Sequence, residues 1–221
     1  AAFSGATELA AMLIVSGVIS DGFDGSVARK LSVASDFGAL FDYFADYLCF
    51  IVAPSILSFL MLRAGAGTVE LAVLALPLLA GALRHSRMDG LRRIESFDEI
   101  GYPGLSTVLY TCYVVAVFFL AHQGFLGERL LSQMILISVP VLSALMLAPI
   151  RYPKLVNSKK VMIPVLAGLG LMPFVLTTGL AVLTITVVVL YVVISPFLIS
   201  QRPELSGSRS EADSSTSLLG N

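Results

Sequence analysis

The chain has 221 residues, 57% of them hydrophobic and 13% charged, with a net charge of −1 and a mean hydropathy of +0.90. Soluble domains carry about 25% charged residues, so this composition excludes an ordinary soluble enzyme. The near-zero charge argues against a nucleic-acid partner, and the apolar runs lack the alternation of a membrane β-barrel.

Taken in chain order, the apolar segments predict seven spans, at residues 3–20, 38–62, 64–83, 103–121, 130–150, 161–177 and 179–200. An uncharged run of about 18 residues or more reads as a membrane-spanning helix. Residues 130–150 carry no charge, and neither do residues 161–200. The second run is about twice the length of one crossing and must turn, most simply at "TTG" (177–179). The fold class is therefore all-α, a polytopic integral membrane helical bundle. Cys49 and Cys112 lie in apolar stretches and read as small packing residues.

Alternating spans sort the basic residues into two sets. Arg29, Lys30, Arg84, Arg87, Arg92, Arg93, Arg151, Lys154, Lys159, Lys160, Arg202 and Arg209 fall on one side, and Arg63 and Arg129 on the other. The side rich in Lys and Arg is expected to be cytoplasmic, with the N-terminus outside and the C-terminus inside. A transmembrane domain over 1–202 is followed at 203–221 by a Ser-rich stretch without aromatics, expected to be a disordered cytoplasmic tail.

Against this background "DGFDGSVARKLSVASDFGALFDYFADY" (21–47) concentrates five aspartates. Residues three and four apart share a helix face. Asp21, Asp24, Gly25 and Ala28 share one face, and Gly38, Asp42 and Asp46 another. Antiparallel neighbouring helices bring the four carboxylates together just below the cytoplasmic surface. A carboxylate at membrane depth costs on the order of 2.5–3.5 kcal/mol, less near the interface, and clustered carboxylates also repel. A divalent cation offsets both costs, and oxygen-only donors suit Mg²⁺ or Mn²⁺. Gly25, Gly38 and Ala28 leave room for a bulky group, and Arg29 offers a fork for phosphate. That inventory suits phosphoryl transfer. Asp36 lies outside the pattern and reads as the N-cap of the second span.

The stretch reads Asp-x-x-Asp-Gly-x-x-Ala-Arg, eight residues, then Gly-x-x-x-Asp-x-x-x-Asp. It resembles the signature of the CDP-alcohol phosphotransferase (CDP-alcohol phosphatidyltransferase) family at every fixed position, a match expected by chance at roughly 10⁻¹⁰ per start position. The resemblance implies a membrane enzyme that moves a phosphatidyl group from CDP-diacylglycerol to an alcohol and releases CMP. It implies Asp21, Asp24 and Asp42 as metal ligands, of two Mg²⁺ or Mn²⁺ ions. Asp46 would be the catalytic base and a further ligand. Asp21, Gly25, Ala28, Arg29 and Gly38 would form the CDP-lipid site. It also implies a homodimer, and an eighth span in a full-length chain.

"DFGALFDYFADYLCFIVAPSILSF" (36–59), "GALRHSR" (81–87) and "RYPK" (151–154) are similar to the phosphatidylserine synthase branch of that family. This makes L-serine the expected acceptor. Arg84, Arg87, Arg151 and Lys154 are candidates to hold its carboxylate or a lipid phosphate, and their plainer reading is anchoring to anionic headgroups. His85, in the basic loop, is a candidate to touch phosphate, its plainer reading being interfacial; His122 falls on the opposite side and does not read as catalytic; Glu8 and Glu70 read as lone interfacial acids. "GYPGLS" (101–106) departs from that branch's Gly-Leu-Pro-x-Pro. Glycerol phosphate, inositol or inositol phosphate as acceptor, and an archaeal CDP-lipid donor, stay open at this point. A cation-coupled transporter is the alternative from another class. Such proteins more often place their acids near the bilayer midplane on broken helices, often in duplicated halves, and no internal repeat is visible here. The protein is expected in a cell or endoplasmic reticulum membrane, and the sorting of basic residues puts the aspartates on the cytoplasmic side.

Overall fold

A computed structural model describes residues 5–30, 35–62, 67–92, 102–152 and 178–200. Among the described residues, six helices stand at six of the seven expected places. They are α1 (Gly5–Lys30), a continuous helix made of α2 (Asp36–Tyr47), a π-turn (Leu48–Val52) and α3 (Ala53–Leu62), then α4 (Thr68–Arg92), α5 (Thr107–His122), α6 (Glu128–Leu147) and α7 (Thr178–Ser200). The expected span at 161–177, the tail at 203–221, and Arg93, Lys154, Lys159, Lys160, Arg202 and Arg209 lie outside the described residues. The helix α2–α3 from Leu40 and the helix α6 are long and apolar enough to cross a membrane, at 23 and 20 residues, and shorter apolar helices cover Thr107–His122 and Gly179–Ile194.

Burial follows an inside-out logic. α5 is buried on nearly every face, from Thr107 through Ala121. A helix that is apolar all round belongs at the centre of a bundle, and α1, α3, α6 and α7 surround it. α4 packs along α6, and α7 along α5. The outward faces stay apolar, with Leu13, Phe41, Ile56, Leu79, Ile137 and Leu183 all exposed. A soluble domain rarely shows so much apolar surface.

Local chemistry sets the element boundaries. α1 runs through the first half of the aspartate stretch without ending at Gly22 or Gly25. α2 is capped one residue earlier than the sequence suggests. Ser35, not Asp36, is the N-cap, and its Oγ accepts the Gly38 N–H at 3.1 Å. In the middle of the continuous helix, Pro54 has no N–H for the Phe50 carbonyl four residues earlier. There the helix widens into the π-turn, whose Leu48 carbonyl accepts from the Ala53 N–H five residues on.

The fourth expected span starts late, at Thr107 rather than 103, because residues 102–106 are engaged elsewhere. Tyr102 and Pro103 (β1) pair antiparallel with Tyr152 and Arg151 (β2). Next to them Gly104 has φ +78°, and a Cβ there would collide with the Met146 carbonyl. The Gly104 N–H donates to the Ile150 carbonyl at 2.8 Å, and the Leu105 N–H to the Leu145 carbonyl at 3.0 Å. A left-handed conformation costs a non-glycine residue about 1–2 kcal/mol before any clash. Gly104→Ala is therefore expected to lower the melting temperature of detergent-purified protein by several degrees, read by scanning fluorimetry. An unchanged melting temperature would show that the bridge tolerates a side chain.

Candidate metal centre

Asp21 lies on the later part of α1, and Asp42 and Asp46 lie on successive turns of α2. A carboxylate oxygen from each of the three falls within 4.8 Å of the other two. Asp21 and Asp46 are half-buried and Asp42 is exposed. Each pair of charges at this separation repels by on the order of 3 kcal/mol at an effective dielectric of about 20, and by less where Asp42 meets solvent. The donor set is oxygen-only and anionic, which fits a hard divalent ion such as Mg²⁺ or Mn²⁺ and does not fit a thiolate- or imidazole-seeking metal.

The other signature residues are placed only in part. Asp24, Gly25, Ala28 and Arg29 continue α1 beyond Asp21, and their side chains lie outside the described residues. Gly38 sits in the first turn of α2, where an added Cβ would lie 3.3 Å from the capping Ser35 Oγ.

Two of the basic candidates are on α4. Arg84 is half-buried. Arg87 donates from Nη1 to the Leu147 carbonyl at 3.1 Å, so one of its five N–H donors caps the C-terminus of α6. Arg151 is placed by its backbone in β2, opposite Pro103. On the far side of the bundle Glu8 is not a lone acid. Its Oε2 lies 3.9 Å from His122 Nε2, joining the start of α1 to the end of α5.

The family model for CDP-alcohol phosphatidyltransferase matches residues 1–194. The chain belongs to the CDP-alcohol phosphatidyltransferase family. Relatives within it include proteins named CDP-diacylglycerol–serine O-phosphatidyltransferase. The Helicobacter pylori protein of that name (strain 26695) is 33% identical over 156 residues, 69% of this chain and 62% of the relative. The Methanocaldococcus jannaschii protein is 30% identical over 146 residues, 66% of this chain and 64% of the relative. The Bacillus subtilis protein is 48% identical over 50 residues, 23% of this chain and 28% of the relative. The chain thus spans a little under two thirds of the length of the first two relatives.

Sequence reading missed one neighbourhood of this phosphatidyltransferase fold. Tyr43 and Tyr47 follow Asp42 and Asp46 by one residue each, so they form the adjacent stripe of α2. Both rings meet His85 of α4 edge-on, with centroids at 6.4 and 6.1 Å. His85 Nδ1 lies 3.0 Å from the Gly81 carbonyl, which makes it the protonated nitrogen, and the Tyr47 hydroxyl donates to the Leu78 carbonyl at 3.0 Å. These residues, with Phe37, Phe41 and Phe44, line an apolar groove of about 590 Å³. The available signal was the i, i+4 spacing of the two tyrosines. Their partner on α4 has no sequence signature.

Anything that binds the folded state alone stabilises it, by about 2.7 kcal/mol at a hundredfold excess over its dissociation constant. Millimolar Mn²⁺ is therefore expected to raise the melting temperature of the purified protein, and Asp46→Asn to lose most of that rise. In EDTA the same variant is expected to be at least as stable as wild type, because one of three repelling charges is gone. An equal Mn²⁺ response in wild type and variant would remove Asp46 from the metal-binding group.

Proposed function

We propose that this chain transfers a phosphatidyl group from CDP-diacylglycerol to L-serine, forming phosphatidylserine and releasing CMP. The observation that carries the proposal is the meeting of Asp21, Asp42 and Asp46 within 4.8 Å, in a chain of this family whose relatives include enzymes with that acceptor in their names.

In this reading Asp21, Asp24, Asp42 and Asp46 hold a pair of Mg²⁺ or Mn²⁺ ions. When bound, divalent ions neutralise charge on the pyrophosphate and on the departing CMP. Asp46 takes the proton of the serine hydroxyl as its oxygen attacks phosphorus and the bond to the CMP oxygen breaks. Gly25, Ala28 and Gly38 leave space for the cytidine nucleotide beside Asp21. Arg29, Arg84, Arg87, Arg151 and Lys154 supply cations for phosphate and for the serine carboxylate. The apolar groove along α2 supports sideways entry of the diacyl tails from the bilayer.

The seven-span topology, a membrane domain over residues 1–202 and a cytoplasmic active site belong to the same proposal. They are supported by the sorting of basic residues and by the apolar outward faces of the helices. A homodimer, implied by the family resemblance, completes it, and light scattering of the purified protein tests that.

The test of the reaction is CMP release from CDP-diacylglycerol in detergent with Mn²⁺, with and without L-serine. Serine-dependent release is expected, abolished by EDTA and reduced by about 10²–10⁴-fold in Asp46→Asn, the span usual for a lost general base. Release driven by glycerol phosphate or inositol in place of serine would keep the reaction and overturn the acceptor. No release with any of these alcohols would overturn the proposal.

A further inference from the structure

The π-turn at Leu48–Val52 begins two residues after Asp46 and separates the carboxylates of α2 from the packing residues of α3. α1, which carries Asp21, packs against the π-turn and α3. An α-helix turns about 100° per residue, so one extra residue in a turn rotates everything before it by about that angle relative to everything after it. Side-chain tips about 5–6 Å from the axis would then move by roughly 8 Å. That exceeds the 4.8 Å within which the three carboxylates meet. Whether Asp42 and Asp46 face Asp21 therefore depends on the widened turn being kept.

The turn is held from α5. Thr111 Oγ1 donates to the Phe50 carbonyl at 2.9 Å, the carbonyl from which Pro54 withholds a donor. The Thr107 carbonyl on its own helix lies slightly farther, at 3.1 Å. Thr111 is fully buried, so its hydroxyl has no water to turn to. The neighbouring Ile51 carbonyl accepts from Ser55 Oγ at 2.6 Å, and Ser55 Oγ lies 3.2 Å from the Tyr110 hydroxyl of α5. Consecutive residues of α5 thus serve consecutive carbonyls of the turn, one directly and one through Ser55. The Tyr47 bond to the Leu78 carbonyl is a separate hold on α2, from α4.

We propose that Thr111 is a positioning residue for the metal centre. By holding the Phe50 carbonyl it keeps the π-turn open, and so sets the angle at which Asp42 and Asp46 face Asp21. Thr111 touches neither metal nor substrate in this role. The inference rests on the metal-centre reading of the three aspartates.

The test compares wild type with Thr111→Val, which replaces the hydroxyl by a methyl group, and with Thr111→Ser, which keeps the hydroxyl. Mn²⁺ binding to the detergent-purified proteins is titrated by electron paramagnetic resonance, alongside the Mn²⁺ concentration giving half-maximal CMP release. Residues bonded directly to metal ligands typically contribute about 10–100-fold to affinity, and Thr111 acts one step further out, through the backbone of the turn, so the low end of that range is expected. Thr111→Val is expected to weaken Mn²⁺ binding about tenfold, and Thr111→Ser to stay close to wild type. A purely structural residue would lower the melting temperature without moving the Mn²⁺ midpoint. If the valine variant does not fold, Thr111→Ser and Thr111→Ala, which differ by the hydroxyl alone, make the same comparison. Equal Mn²⁺ midpoints with and without the hydroxyl would overturn the positioning role and leave the metal centre standing. Wild-type protein that binds no Mn²⁺ would overturn both.

Discussion

Asp21, Asp42 and Asp46 repel one another, so two helices have to be held at one meeting point against that force. The hold comes from apolar packing along the same two helices. α1 buries Ala11, Ile14, Val15 and Val18, and the π-turn buries Phe50 and Ile51. A third helix closes in on the π-turn where a side chain is missing: a Cβ on Gly81 of α4 would press into Ile51 at 2.7 Å. Between membrane helices such packing acts through close van der Waals contact rather than transfer from water. A bound cation turns the repulsion among the carboxylates into attraction.

The central helix connects this arrangement to the rest of the bundle. α5 contributes little to the surface and almost everything to the interior. Among its polar residues, the buried Tyr110 and Thr111 serve the π-turn, and the half-exposed His122 meets Glu8 at the other end. Polar groups buried in an apolar bundle are costly unless bonded. Pairing them at defined backbone carbonyls therefore fixes α5 in register against the helix that carries two of the aspartates.

The signature aspartates and the positions of the apolar segments were legible in the sequence because both follow local periodicity. Asp21, Asp42 and Asp46 fall on helix faces by spacing alone, and the fold brings them together. Features that depend on distant partners were not legible. The π-turn was not expected within the span 38–62, and Thr111, which serves its Phe50 carbonyl, lies 61 residues away in the chain. The cap was misplaced by one residue because Ser35 and Asp36 are both good cap formers and adjacent. The late start of α5 depends on a pairing between Tyr102 and Tyr152 that no local pattern encodes. Arg87 reads as a ligand-binding cation in the sequence, and no local pattern shows that one of its N–H groups also donates to the Leu147 carbonyl at the end of α6.

The two-residue bridge between β1 and β2 closes the chain into a ring. Residues 102 and 152 become neighbours, and α5 and α6 lie wholly between them. The loop-closure cost of such a ring grows only slowly with its length. A chain emerging in order from the ribosome can complete this ring before α7 exists. Tyr152 of this ring stacks on Tyr191 of α7 at a centroid distance of 5.7 Å. The same bridge that closes the ring thus also gives α7 a surface to pack on.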